Sequence, residues 1–132
     1  MLSLSERWAA GRVAYRASAV QNELVAMERL FAIAECACLE ALALLDGDLL
    51  VGFIILENLH AHGWAVGHFQ KTDPSYPETS SRLLHELGRQ LHSRGLRIFN
   101  AEQDLGIPGL RYYKCSLQPR GFLKKYIIGE RP

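Results

Sequence analysis

The stretch Asn100–Ala101–Glu102–Gln103–Asp104–Leu105–Gly106–Ile107–Pro108–Gly109–Leu110–Arg111–Tyr112–Tyr113–Lys114 decides how this chain is read. It follows Leu96–Arg97–Ile98–Phe99, a short apolar run that reads as a buried strand. Glu102 and Asp104 leave that strand two residues apart, so both point to one side while the backbone stays extended. Gly106 and Gly109 permit a tight turn. Pro108 suits the first helical position, where its missing N–H costs nothing. Arg111 and Lys114, three apart on the new helix, are surface neighbours. The pattern predicts an acidic pair and a basic pair facing a strand-to-helix junction, where open α/β sheets place their ligands.

Residues 96–100 are expected as the strand, 109–117 as the helix, and Gly121–Ile128 as a last strand. Upstream, Thr79, Ser80 or Ser81 caps a helix to about Arg94, and Gly95 stops it. Leu84, Leu87 and Leu91 are its expected seam. Asp73–Pro74–Ser75–Tyr76–Pro77 is a rigid loop. Trp64–Thr72 is a strand, with Trp64, Val66, His68 and Gln70 on one side and Ala65, Gly67, Phe69 and Lys71 on the other. Asn58–His62 is a polar loop. Asp46–Gly47 between apolar runs signals a hairpin joining strands 38–45 and 49–57. Two helices come first. One spans residues 3–17, with Leu4, Trp8, Gly11 and Tyr15 on a stripe and Ser3 or Ser5 as cap. The other spans Val20–Ala34, with Val20, Leu24, Met27 and Phe31 on one face. The order α-α-β-β-β-α-β-α-β predicts an α/β sandwich, with an antiparallel meander continued by alternating helices and strands.

A chain of 132 residues is one domain, with N-terminal helices over 1–36 and the sheet and remaining helices over 38–128. The net charge of +1 gives no case for a general nucleic-acid or membrane binder. A small basic patch can still form from Lys114, Arg120, Lys124 and Lys125. Three cysteines, Cys36, Cys38 and Cys115, and no secretory signal fit a reducing cytoplasm. The Cys-x-Cys pair reads as small buried hydrophobes rather than a metal site. His60, His62, His68, His85 and His92 show no zinc spacing, so no metal is expected. The longest apolar run, Leu49–Leu56, is too short to span a bilayer.

The element order resembles the GNAT (acyl-CoA N-acyltransferase) fold, an α/β (α+β) arrangement with a mixed, mostly antiparallel sheet flanked by helices. The run "FNAEQDLGIPGLRYYKCSLQP" is similar to the signature of the C-terminal domain of phosphatidylglycerol lysyltransferases. "FQKTDPSY" resembles the same family's Lys-x-Asp and Tyr at a strand end. The likeness covers about residues 38–128 and is most specific over 100–118. It implies a second GNAT-like half that moves an aminoacyl group from aminoacyl-tRNA to a lipid head group or another acceptor. It also implies Glu102 and Asp104 as catalytic residues and Lys71, Asp73, Tyr76, Asn100, Arg111 and Lys114 as substrate-binding. Its partners would be aminoacyl-tRNA, a lipid head group, and a further GNAT-like half or a second copy of the chain.

The residues themselves leave alternatives open. Glu102 and Asp104 can receive an ammonium or remove a proton from a hydroxyl, or they can simply pair with Arg111 and Lys114. Lys71 either meets a phosphate or pairs with Asp73. Tyr113 shares a face with Leu110 and Leu117, which is also what core packing gives. Acyl-CoA is disfavoured as a cofactor. A pyrophosphate needs backbone N–H groups at the turn before the long helix, and there Pro74 and Pro77 delete two of them while Asp73 and Glu78 add negative charge. The competing functions are an acyl-CoA-dependent N-acetyltransferase and a non-catalytic GNAT-like subunit that needs a partner.

Overall fold

The computed structural model describes residues 1–10, 17–34, 39–126 and 128–129. Gly11 and Tyr15 of the expected first stripe, Cys36 and Cys38, and Ile127 of the expected last strand lie outside the described residues. The chain divides into two units, Met1–Glu102 and Gln103–Pro132.

In the first unit, α1 (Leu2–Ala10) and α2 (Ala17–Ala32) lead into β1 (Leu39–Asp46), β2 (Leu49–Leu59), β3 (Trp64–Thr72), α3 (Thr79–Ser93) and β4 (Ile98–Asn100). The four strands form one sheet in the order β1-β2-β3-β4. The first three are an antiparallel meander. β4 pairs parallel to β3, which requires the α3 crossover between them. The sheet is therefore mixed and mostly antiparallel, with helices on both faces, as the element order predicts.

Each face has its own core. Ile54, Leu56 and Ala65 pack with Leu83, Leu87 and Leu91 of α3. Phe53 and Ile55, on the opposite face of β2, pack with Leu4 of α1 and Met27 of α2. Two helical seams differ from the sequence reading. In α3 the buried residue is Leu83, with Leu84 only partly covered, because the sheet meets the helix one position earlier. In α2 the seam runs through Met27 and Leu30, and Phe31 is 40% exposed.

The hairpin forms where Asp46–Gly47 announces it, with its turn one residue later. Asp46 pairs with Leu49, so the two turn residues are Gly47 and Asp48. Gly47 has φ +57 and Asp48 is absent from the positive-φ residues. Glycine first in a two-residue turn is the type II′ arrangement, which needs a left-handed residue only there. No Thr or Ser side chain caps α3. Its N-cap is Glu78, itself left-handed at φ 64, while the Thr79 hydroxyl donates backwards to the Tyr76 carbonyl at 2.8 Å. Asn58 and Leu59 extend β2, and His60–His62 form a single 3-10 turn in place of an open loop.

In the second unit, α4 (Pro108–Ser116) starts with Pro108 in its first turn, as expected. The expected strand over 121–128 does not form among the described residues. Residues 121–126 carry no ladder, and Phe122, Leu123 and Tyr126 are exposed. An alternating apolar pattern becomes a strand only where a sheet edge accepts its hydrogen bonds.

Candidate functional site

The geometry of β3 begins with an irregularity. On β2, Ile55 pairs with Phe69 and Leu56 with Gly67, so His68 is the extra residue of a β-bulge. The strict alternation expected along β3 fails there. Ala65 packs toward α3, yet Phe69 joins the α1/α2 core. Gln70 now reaches Ser80 of α3 at 2.9 Å, and Lys71 reaches Glu23 of α2. Beside the bulge, β4 pairs only through Trp64/Ile98, Ala65/Phe99 and Val66/Asn100, while β3 runs on to Thr72.

At this parting of the strands three titratable side chains meet. His68 Nε2 lies 3.3 Å from Glu57 Oε2, and its Nδ1 lies 3.5 Å from Glu102 Oε1. The imidazole is 24% exposed and Glu102 is 43% exposed, so the cluster is open to solvent. Glu102 is aimed by its backbone. Its φ is +56, and its N–H donates to the Asn100 side-chain oxygen at 2.9 Å. The premise that Glu102 and Asp104 share a strand face therefore does not hold, because β4 ends at Asn100 and the chain turns left-handed at Glu102.

The far end of β3 is tied to the N-terminal helices. Lys71 Nζ meets Glu23 Oε1 at 2.6 Å and sits 3.7 Å from the centre of the Trp8 ring. It pairs with Glu23, where the sequence left a choice between a phosphate and Asp73. Asp73 accepts from the Ser75 N–H at 3.0 Å and from Arg7 Nε at 3.3 Å. The Ser75 N–H first, with Arg7 beside it, holds the Asp73 carboxyl below its ordinary range. Tyr76 donates its hydroxyl to Asp46 at 2.9 Å, and that carboxylate pushes the phenol above its ordinary pKa. In the turn between β3 and α3, Pro74 and Pro77 have no N–H. The Ser75 N–H goes to Asp73 Oδ1, and the Tyr76 N–H goes to the Asp73 carbonyl.

In the second unit, Asp104 Oδ2 accepts from Arg111 Nε at 2.6 Å and Asp104 Oδ1 from the Gly106 N–H at 2.9 Å. The guanidinium, and after it the Gly106 N–H, lowers the Asp104 pKa. Lys114 donates to the Gln103 carbonyl at 2.8 Å. The structure thus brings Asp104 to Arg111, and Glu102 to His68. Glu57 and His68 are the residues that sequence reasoning missed. A zinc-spacing test is blind to a histidine held by carboxylates, and the bulge that turns it leaves no motif. Among the described residues no group of three or more His, Cys, Asp or Glu side chains is placed to hold a metal ion. No helix among them is long and apolar enough to cross a membrane.

Residues 1–129 match the family model "Phosphatidylglycerol lysyltransferase, C-terminal". None of the curated protein sequences matches the chain. Among solved structures, a conserved protein of unknown function from Bacteroides thetaiotaomicron is similar at 26% identity and a TM-score of 0.78. That match covers 91% of this chain and 40% of the other, so the chain spans well under half that protein's length. A PaiA N-acetyltransferase from Thermoplasma acidophilum, solved with coenzyme A, is similar at 15% identity and a TM-score of 0.58, covering 85% of this chain and 77% of that one. A ribosomal-protein-alanine N-acetyltransferase from Brucella melitensis gives 14% identity and a TM-score of 0.58, covering 78% and 89%. The two acetyltransferases, at such identities, establish the fold alone, which is the GNAT fold.

Proposed function

The chain belongs to the phosphatidylglycerol lysyltransferase C-terminal family, and from that premise we propose that it is an aminoacyltransferase domain, moving an aminoacyl group from aminoacyl-tRNA to a lipid head group. The observation that carries this reading is the cluster of titratable side chains at the parting of β3 and β4, where Glu102 stands against His68. A carboxylate there can hold the ammonium of an aminoacyl ester. Asn100 positions it through the backbone of Glu102. Lys71, Asp73 and Tyr76 shape the far end of β3. In the second unit Asp104, Arg111 and Lys114 hold the loop before α4. Asp104 is given the lesser part in the chemistry, because a carboxylate saturated by a guanidinium is a weak base.

The turn before α3 supports a donor other than acyl-CoA. Its two prolines lack N–H groups, the Ser75 and Tyr76 N–H groups are spent on Asp73, and the Asp73 N–H is spent on the Val51 carbonyl. A pyrophosphate cradle needs those donors pointing outward. We therefore infer that the residues of this turn do not fit a coenzyme A pyrophosphate. A GNAT-like half of a longer enzyme, or a paired copy, is the assembly this reading expects, and a cytoplasmic setting is where its tRNA donor is found.

The test supplies tRNA charged with labelled amino acid together with phosphatidylglycerol vesicles, and follows the label into lipid. Label entering lipid, and lost with Glu102→Gln, is the expected result. A parallel melt with acetyl-CoA discriminates the acetyltransferase alternative. A bound ligand at a hundred times its dissociation constant stabilises by about 2.7 kcal/mol. Such a shift, with no label transfer, would replace this reading with the acyl-CoA one.

A further inference from the structure

We propose that His68 is the proton-transfer group of the reaction, with Glu57 as its positioning residue. This rests on the transferase reading above and deepens it. A neutral imidazole carries one N–H and one lone pair. Nε2 has the shorter contact, 3.3 Å to Glu57 Oε2 on the regular strand β2, and forms a hydrogen bond with it. A carboxylate only accepts, so in the neutral ring we place the proton on Nε2, the nitrogen with the shorter carboxylate contact, and the lone pair on Nδ1.

That lone pair faces Glu102 Oε1 at 3.5 Å. Two acceptors so placed repel each other unless a hydrogen lies between them. A donor must therefore bridge them, and in the neutral ring that donor is the O–H of an incoming nucleophile. The bulge makes this geometry possible, because it turns His68 onto the Glu57 face of the sheet beside Phe69. The left-handed turn at Glu102 completes it. Glu57 and Glu102 are the charged groups paired with the ring, and its 24% exposure leaves a path for substrate.

The step balances. The acceptor hydroxyl oxygen attacks the carbonyl carbon of the aminoacyl ester, and its proton passes to Nδ1 of His68. A new C–O bond forms. The tetrahedral intermediate then breaks the old C–O bond, and the imidazolium returns the proton from Nδ1 to the leaving oxygen. His68 ends neutral, one ester has become another, and no oxidant or reductant is involved. Glu57 stabilises the imidazolium between the two transfers without itself being protonated.

Two measurements test this and fail separately. The first needs no turnover. ¹⁵N spectra of the imidazole in the full chain should show the neutral ring protonated on Nε2, and Glu57→Gln should move it toward a mixture of tautomers. A neutral ring protonated on Nδ1 overturns the proposal even if the chain transfers label. The second is label transfer from charged tRNA. His68→Gln should lose about a hundredfold or more, the usual range for a lost acid–base group, while keeping the melting profile of the wild type. Glu57→Gln should lose less and lose it with the tautomer change. Wild-type transfer by His68→Gln also overturns the proposal. A wild-type chain that moves no label from tRNA sinks the donor assignment instead, and the tautomer measurement still decides for or against His68.

Discussion

A Cβ built on Gly67 would lie 2.6 Å from Cζ of Phe99, closer than side-chain atoms approach. Phe99 is the middle residue of β4, and Gly67 is the last β3 residue before the bulge. The glycine therefore lets the two strands stay close just before they part. Gly67→Ala should destabilise by about 1–3 kcal/mol, the usual range for overpacking. Combining it with Phe99→Leu should recover part of that loss in the urea midpoint. A Gly67→Ala chain as stable as wild type would mean that the ring swings away freely. Asp104 offers a second measurement at this scale. Its carboxyl, held by Arg111 and the Gly106 N–H, has a pKa below the ordinary 3.8. A carboxyl lowered on folding contributes stability that is present above its unfolded pKa and is lost as pH falls through the lower folded value. The Asp104 carboxyl carbon should therefore titrate below 3.8 by NMR, and Arg111→Gln should bring the midpoint back up toward it. A wild-type midpoint at or above 3.8 contradicts the pair.

At the scale of elements, the N-terminal helices are fastened to the end of β3 by groups far apart in sequence. Lys71 and Glu23 are 48 residues apart, and Arg7 and Asp73 are 66 apart. The Lys71 side chain is 7% exposed, and Glu23 and the face of Trp8 are among the groups that hold its ammonium. Glu23→Ala should cost about 1–3 kcal/mol, because it removes an ion-pair partner of a buried ammonium. An unchanged urea midpoint would show that α2 contributes nothing through this pair. No local pattern announces such pairs, which is why Lys71 and Asp73 are legible as polar residues at a strand end while their partners are not. Local chemistry was legible where it is strictly local. Asp46–Gly47 announces the β1–β2 hairpin, Gly95 ends α3, and Pro108 opens α4. It misleads by one residue where tertiary contacts choose among equals. Examples are Gly47–Asp48 as the turn, Leu83 in place of Leu84, and Glu78 in place of a Thr or Ser cap. The bulge at His68 matters most, since one extra residue moves Phe69 and Lys71 to the other face. The candidate cluster of Glu57, His68 and Glu102 exists only because of it.

At the scale of the molecule, the two units differ in how their backbones are protected. β2 lies between β1 and β3, and its residues Val51–Leu56 are all buried. Phe53 and Ile55 are covered by α1 and α2, and Ile54 and Leu56 by α3. Opening those amides requires breaking two cores at once, so their exchange should follow global unfolding. α4 contains no buried residue, and the chain after it exposes Phe122, Leu123, Tyr126 and Ile128. A nine-residue helix is marginal on its own and owes its stability to the face it buries. Asp104–Arg111 and the Pro108 start support its first turn, yet an ion pair this exposed is screened by solvent and contributes little. Native-state hydrogen exchange should therefore rank the amides of Ile54 and Leu56 among the slowest and those of Tyr112–Ser116 among the fastest helical ones. The gap should close in any assembly that covers the second unit. If the α4 amides exchange as slowly as Ile54 in the isolated chain, the second unit draws its stability from this chain alone, and a partner is not needed to order it.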